Sequence, residues 1–287
     1  VSTTVRDLLE RGFKSLSKTE RKSPRLESEL IVMHLLDVDK AYLYTHPNRI
    51  VSKEIIEKFE ELIEKRKEGY PIQYILKNQE FMGLDFHVTE GVLVPRPDTE
   101  ILIEYIIKFA RKNKKEKIKI LDIGTGSGAI SLSLAYYIEN SYIYSVDISE
   151  KAIKIARKNK KKMNLEDRVE LITKDILEGF PEIDEKMDIV VSNPPYIPSR
   201  DIDSLQIEVS KYEPRLALDG GDDGLVFYRY ITEKAKEKLI DNGLLCYEIG
   251  YDQGESVKNI MGDNGYKEIL VLKDLQGRDR AVIGRMG

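Results

Sequence analysis

Hydrophobic positions along the first third of the chain recur every three to four residues. Val5, Leu8, Leu9, Phe13 and Leu16 form one such stripe, and Leu26, Leu30, Ile31, Met33 and Leu35 form a second. A period near 3.6 puts these side chains on one helix face, so the stripes predict amphipathic helices. Ser23-Pro24 predicts a helix start, with Ser23 as N-cap and Pro24 at the first helical position. Ser52 is placed to cap a further helix, whose stripe is Ile55, Ile56, Phe59 and Ile63. Residues 1–76 therefore read as a small helical bundle.

The pattern changes near Gln79. Glu80–Val88 and Gly91–Val94 are short runs rich in Phe and Val, with Gly83 and Gly91 as turn signals. They predict a β-hairpin linker over 77–95. From 96 to 287 strands and helices alternate. Ile101–Lys112 is amphipathic and Ile118–Ile123 is a buried strand; a helix is expected over Ala129–Ile138, a strand over Tyr142–Val146 and a helix over Glu150–Met163. Strands Val169–Thr173 and Met187–Ser192 come next, then a helix around Leu225–Leu239 and strand Gly243–Ile249. A helix near Glu255–Met261 and strands Tyr266–Leu272 and Arg280–Ile283 close the chain. Such alternation predicts an α/β fold with a mostly parallel sheet wrapped by helices.

Composition narrows this picture. A chain of 287 residues, 41% hydrophobic, can bury a sizeable core in one large domain plus a small one. The formal net charge of −4 argues against a nucleic-acid partner. Basic runs Arg111–Lys115 and Arg157–Lys162 fall at expected helix C-termini, where they complement the helix dipole. The single cysteine, Cys246, excludes an internal disulfide and reads as a small buried hydrophobe. His34, His46 and His87 lack metal-ligand spacing, so no metal site is expected. The stretch Val1–Asp7 resembles neither a signal nor a transit peptide, and no run is long and apolar enough to span a membrane. A cytoplasmic protein is the expectation.

The candidate chemistry sits at strand ends. Strand 118–123 runs into Gly124-Thr125-Gly126-Ser127-Gly128 and then a helix. Glycines let the backbone turn sharply and approach a ligand, and the helix N-terminal amides bind its polar groups. Asp147, followed by Ile148, ends the next strand, where a carboxylate accepts hydrogen bonds from both hydroxyls of a ribose. Nicotinamide cofactors and S-adenosylmethionine share these features. Two others favour S-adenosylmethionine. Asp122 precedes the first glycine and suits the cationic amino-acid end of that cofactor. Asp175-Ile176 ends the third strand and supplies a carboxylate and an apolar side chain for an adenine ring; Asp175 as a simple loop-starting acid is the alternative.

Strand Met187–Ser192 ends in Asn193-Pro194-Pro195-Tyr196. Ligands of open α/β sheets bind at the carboxyl ends of the strands. A planar amide or amino nitrogen is a poor nucleophile because its lone pair is delocalised. The Asn193 side-chain carbonyl and the Pro194 main-chain carbonyl are two acceptors that can orient its two N–H groups. Pro194 and Pro195 stiffen the loop, and Tyr196 is expected to offer a ring face to the planar group. The residues thus point to methyl transfer onto a planar nitrogen.

Longer motifs surround these. Gly69-Tyr70-Pro71-Ile72-Gln73-Tyr74-Ile75, Val94-Pro95-Arg96-Pro97-Asp98-Thr99-Glu100, Leu121–Gly128, Ser192–Pro198, Tyr212–Gly221 and Gly277-Arg278-Asp279-Arg280 span nearly the whole chain. With these the sequence resembles the HemK/PrmC family of protein-(glutamine) methyltransferases, which modify class 1 peptide chain release factors. The resemblance implies a helical substrate-recognition domain, a hairpin linker and a seven-stranded Rossmann-like methyltransferase domain. It implies S-adenosylmethionine as cofactor, S-adenosylhomocysteine as product, and the glutamine amide of a Gly-Gly-Gln loop as acceptor. It carries cofactor contacts onto Gly124 through Gly128, Asp147 and Asn193, and substrate contacts onto Asn193 through Tyr196. Relatives often have an aromatic residue where this chain has Ile176. Asp98 or Thr99 is also expected to cap the following helix, and Arg278 and Arg280 to contact a partner or form internal ion pairs. The rival readings are a nucleic-acid adenine methyltransferase, a non-catalytic module that keeps the cofactor fold, and a nicotinamide oxidoreductase.

Overall fold

The computed structural model describes residues 2–19, 23–113 and 115–287. Val1 and Lys114, which belong to the terminal stretch and a basic run noted above, lie outside the described residues. The chain divides into two compact units. One takes in the residues up to Asn78 together with Gln206–Tyr212, the other Gln79–Leu205 and Glu213–Gly287.

The helical unit contains α1 (Val5–Leu16), α2 (Pro24–Leu36), α3 (Lys40–Thr45), α4 (Lys53–Lys67) and α5 (Ile72–Leu76). Val5, Leu8 and Leu16 meet Ile31, Val32, Phe59 and Ile63 in its core. Helix α1 starts with a capping box, in which the Asp7 amide donates to Thr4 Oγ1 (3.3 Å) and the Thr4 amide to Asp7 Oδ2 (2.7 Å). Ser52 accepts the Ile55 amide ahead of α4, as expected. Ser23 precedes α2 but makes no side-chain cap; Pro24 alone sets the entry. Gly12 is required by close packing, since a Cβ there would lie 2.2 Å from Ser28 Oγ on α2.

The second unit opens with the hairpin β1 (Gln79–Phe81) and β2 (Leu84–Phe86). Its turn is Met82-Gly83, both at positive φ (54° and 71°), which matches the twist of a two-residue hairpin. The expected second strand at 91–94 does not form, and that segment is irregular. Then come α6 (Glu100–Lys112), β3 (Ile118–Ile123), α7 (Ala129–Tyr137), β4 (Ser141–Asp147), α8 (Glu150–Lys162), β5 (Val169–Thr173) and β6 (Met187–Ser192). After β6 the chain forms α9 (Ile207–Ser210) and continues into α10 (Val226–Ala235), β7 (Leu239–Glu248), α11 (Gly254–Asp263), β8 (Lys267–Lys273) and β9 (Asp279–Arg285). Helix α9 belongs to the helical unit, where Arg66 on α4 reaches Glu208 at 2.9 Å and Glu27 at 2.8 Å. The expected boundary at 76 therefore misses the return of 206–212, which only the tertiary fold reveals.

The seven strands lie in the order β5-β4-β3-β6-β7-β9-β8. All neighbours pair in parallel up to β7, and β9 is antiparallel to both β7 and β8. Strand β6 is buried at every position, which explains its continuous apolar run. The chain steps from β3 outward to β5 and returns to β6 on the other side of β3. That reversal opens a crevice at the carboxyl ends of β3 and β6. Among the described residues, no helix is long and apolar enough to cross a membrane, and no group of three or more His, Cys, Asp or Glu is placed to hold a metal ion.

Candidate active site

Beyond Ile123 the chain turns through Gly124 (φ 88°) and Gly126 (φ 54°), and Gly128 (φ 86°) leads into α7. A Cβ on Gly124 would stand 3.5 Å from the Asn193 carbonyl oxygen, so the loops after β3 and β6 adjoin. A Cβ on Gly128 would instead strike Leu132 at 2.8 Å. Gly128 thus serves helix packing and does not line the cavity, unlike Gly124, Thr125, Gly126 and Ser127.

That cavity has a volume of about 220 Å³. Asp147, Ile148, Asp175 and Ile176 line it on the β4–β5 side, and Asn193, Pro194 and Pro195 on the β6 side. Asp147 accepts the Gly126 amide through Oδ2 and the Ser149 amide through Oδ1, each at 2.8 Å. Burial pushes its carboxyl pKa up, while the two amides pull it back. Two amides leave lone pairs on both oxygens for paired ligand hydroxyls. A Cβ on Gly126 would meet nothing within 4 Å, so the loop leaves open space at this position. Ile148 and Leu177, half-exposed, and buried Ile176 supply apolar edges for a flat ring. The arrangement fits the nucleoside end of S-adenosylmethionine. Asp175 also accepts the Leu177 amide (2.9 Å), so it is both a loop-starting acid and a cavity residue.

Asp122 requires a correction. It was expected to face the cofactor, but it is fully buried and does not line the cavity. Its Oδ2 accepts the Ser145 hydroxyl at 2.7 Å, beneath the glycine loop, and Ser145 in turn meets Thr125 Oγ1 at 2.9 Å. The strand pleat decides this: Asp122 and its neighbour Ser145 on β4 turn to the same face of the sheet, where Ser145 also meets Ser131 of α7. Burial pushes its pKa up to about 6.

Tyr196 requires another. It was expected to offer its ring to the acceptor, yet it does not line the cavity and packs against the core instead. Burial pushes its hydroxyl pKa well up. Its carbonyl accepts Gln253 Nε2 at 3.0 Å, so Tyr196 anchors the loop from behind. Asp219 and Gly220 close the loop's other side. Gly220 donates to the Ile197 carbonyl (2.9 Å), and a Cβ there would lie 2.8 Å from the Pro195 oxygen.

The longer motifs also find places. Pro95, Arg96 and Thr99 line the cavity, as do Pro214, Leu216 and Ala217. Glu213 joins the two segments, accepting the Val94 amide (3.2 Å) and Arg96 (2.7 Å). Neither Asp98 nor Thr99 caps α6; a short 3-10 turn over Pro97–Thr99 leads into it instead. Arg280 is an internal ion-pair residue, 3.3 Å from Asp98 and 3.1 Å from Asp274. The Arg278 amide donates to Asp274. Cys246 is buried, and burial alone pushes its thiol far above the usual range. Phe81, Val92 and Phe227, which also line the cavity, were not singled out. The apolar run 91–94 is the available signal for Val92; Phe81 in the run Glu80–Val88 and Phe227 in the helix around Leu225–Leu239 carry none beyond those patterns.

A glycine loop, an acid one strand over and an Asn-Pro-Pro-Tyr turn share one crevice of a seven-stranded sheet, and together they define a methyltransferase. Comparison with known proteins sharpens this. Residues 7–76 match the PrmC N-terminal domain family and residues 114–220 a methyltransferase domain family. The release factor glutamine methyltransferase of Clostridium acetobutylicum is 41% identical over 99% of this chain and 99% of its own. That of Moorella thermoacetica is 40% identical over 98% of each. The chain belongs to the release factor glutamine methyltransferase family. The crystal structure of a methyltransferase from Pyrococcus furiosus aligns with a TM-score of 0.50 at 20% identity, covering 72% of this chain and 90% of that one, which supports the fold.

Proposed function

We propose that this enzyme transfers a methyl group from S-adenosylmethionine to the side-chain amide nitrogen of the glutamine in the Gly-Gly-Gln motif of class 1 peptide chain release factors, leaving S-adenosylhomocysteine. The observation that carries this is the adjacency of the two loops. The glycine loop and the Asn193 turn adjoin closely enough that a Cβ on Gly124 would touch the Asn193 carbonyl, and both line one cavity, so cofactor and acceptor would share it. The names of the relatives supply the release factor and the glutamine.

When bound, the cofactor supplies an electrophilic methyl group on a sulfonium sulfur. The protein does the rest. The amides of Gly124, Thr125, Gly126 and Gly128 are taken up within the protein, so Asp147 would hold its hydroxyls, and Ile148, Ile176 and Leu177 would flank its flat ring. The Asn193 side-chain carbonyl and the Pro194 carbonyl accept the two amide N–H groups of the acceptor. This pairing aims the nitrogen lone pair into the cavity and stabilises the positive charge that develops there. Such an acceptor needs no base before attack, because its proton can leave afterwards. The apolar walls at Pro195 and Phe227 would leave fewer waters to compete once the ligands are bound, which would strengthen each hydrogen bond.

The helical unit is assigned the grip on the release factor away from its reactive loop, and a substrate from the translation machinery fits a cytoplasmic place. Because Gln206–Tyr212 packs within that unit, deleting residues 1–76 would strip a segment of the catalytic chain of its support. Substituting the exposed Leu26 and Ile50 by Ser is the cleaner test: KM for release factor should rise with cofactor Kd unchanged. The decisive experiment is mass spectrometry of a release factor incubated with enzyme and cofactor. A methyl group anywhere but on the Gly-Gly-Gln glutamine would overturn the assignment.

A further inference from the structure

Asn193 can orient an acceptor amide only if its own amide is held one way round. Its Oδ1 must face the cavity, and its Nδ2 must find an acceptor behind. The two atoms are nearly the same size, so a partner has to choose between them. Strand β7 runs beside β6 with Tyr247 opposite Ser192, which puts Glu248 next to Asn193. Glu248 is 4% exposed. Its Oε2 has no hydrogen-bond partner, and the Thr99 and Asn193 side chains stand close enough to favour the ionised carboxyl. Thr99 and Asn193 both line the cavity, so Glu248 lies directly behind two of its wall residues.

Resting on the proposed reaction, we infer that Glu248 is a positioning residue that fixes the Asn193 amide with its oxygen toward the acceptor. An ionised carboxylate only accepts hydrogen bonds, so Asn193 must turn its N–H groups to it and its carbonyl away. A protonated Glu248 gains an O–H, which can pair with Asn193 Oδ1 and reverse the amide. The acceptor would then face two N–H donors, and the orienting bond would be lost.

The surroundings keep both forms within reach. Burial pushes the Glu248 carboxyl up to about 7, and Asp98 adds to this; Thr99, Arg280 and Asn193 oppose it. Arg280 is itself shared between Asp98 and Asp274. Tyr196 and Tyr228 are the remaining titratable neighbours, and the Tyr228 hydroxyl donates to the Glu248 main-chain carbonyl at 2.9 Å.

Two measurements on the full chain test this. In the first, methyl transfer to release factor is followed against pH for wild type and Glu248→Gln. Wild-type kcat should rise through an ionisation near 7 as Glu248 deprotonates. Glu248→Gln should lose that limb and fall on the order of 10- to 100-fold in kcat, with cofactor Kd little changed. An unchanged kcat and limb in the variant would overturn the inference. In the second, the Asn193 side-chain amide is followed by ¹⁵N NMR against pH, with Asn193→Ala identifying its signals. They should shift with an apparent pKa near 7 in wild type; signals that stay fixed from pH 5 to 9 would also overturn it. The NMR measurement needs no turnover, and its pH titration is made on the wild-type chain. A wild-type enzyme that leaves release factors unmethylated while its Asn193 signals titrate would remove the proposed function and keep the Asn193–Glu248 contact.

Discussion

The two ends of the cavity are built in opposite ways. At the glycine-loop end, backbone does most of the holding: both Asp147 oxygens are satisfied by main-chain amides, and the turns are set by glycines at positive φ. At the Asn193 end, side chains from distant parts of the sequence do it. Gln253 holds the Tyr196 carbonyl, Glu213 ties Val94 to Arg96, and Glu248 stands behind Asn193. In the proposed function the glycine-loop end serves one unvarying cofactor, which a local loop can match. Orienting a foreign amide needs hydrogen-bond polarity that the backbone at Asn193-Pro194-Pro195 cannot adjust, since proline brings no N–H.

Substitutions should break the two ends differently. The largest effect is expected for Asn193→Ala, which removes an acceptor used in the transition state. Its kcat should fall by roughly 10²–10³, measured by methyl incorporation into release factor at saturating cofactor. A comparable loss of cofactor affinity instead would move Asn193 to the other end of the comparison. Asp147→Ala should do the converse. It removes charge-assisted hydrogen bonds worth about 1.5–3 kcal/mol, so calorimetry should show cofactor Kd rising on the order of 10- to 100-fold. Turnover should largely recover at saturating cofactor.

The third expectation concerns pH. Glu248 and Asp122 both have folded-state pKa values raised by burial, to about 7 and about 6. The folded state therefore binds their protons more tightly than the unfolded chain does. Stability from these groups is fully present at acid pH and is lost as pH rises from about 4 to about 7. Urea unfolding should show the contribution of these two groups falling by about 6 kcal/mol across that window, and Glu248→Gln should flatten its upper part. The smallest effects lie in the glycine loop. Gly128→Ala meets both Leu132 and a positive φ and should cost about 1–3 kcal/mol by thermal unfolding. Gly126→Ala has open space and should cost about 1 kcal/mol from φ alone.

Local features were legible before the fold was known. The strand–glycine–helix unit, Asp147 at the end of β4 and the turn after β6 are each written in a few consecutive residues, so periodicity and turn chemistry identify them. The misreadings share one cause. Asp122 looked like a cofactor ligand and Tyr196 like a stacking surface because position beside a motif does not tell which way a side chain points. In β3 the pleat turns Asp122 to the sheet face under α7, beside Ser145 and Ser131, and beyond β6 the loop turns Tyr196 onto the core. Ser23 and Thr99 carried the chemistry of caps but bond elsewhere or not at all to their helices.

The amino-acid order by itself determined the alternating elements, the cofactor loop and the class of acceptor, because each depends on neighbours along the chain. Only the tertiary structure decided what supports the loop at Asn193. Glu248 beside Asn193, Gln253 on the Tyr196 carbonyl and Glu213 on Val94 and Arg96 come from separate segments, and the burial that sets their hydrogen bonds, and raises the Glu248 carboxyl, exists only once those segments meet. The return of 206–212 to the helical unit is of the same kind, since its partner Arg66 lies far away in sequence and the ion pair forms only on folding.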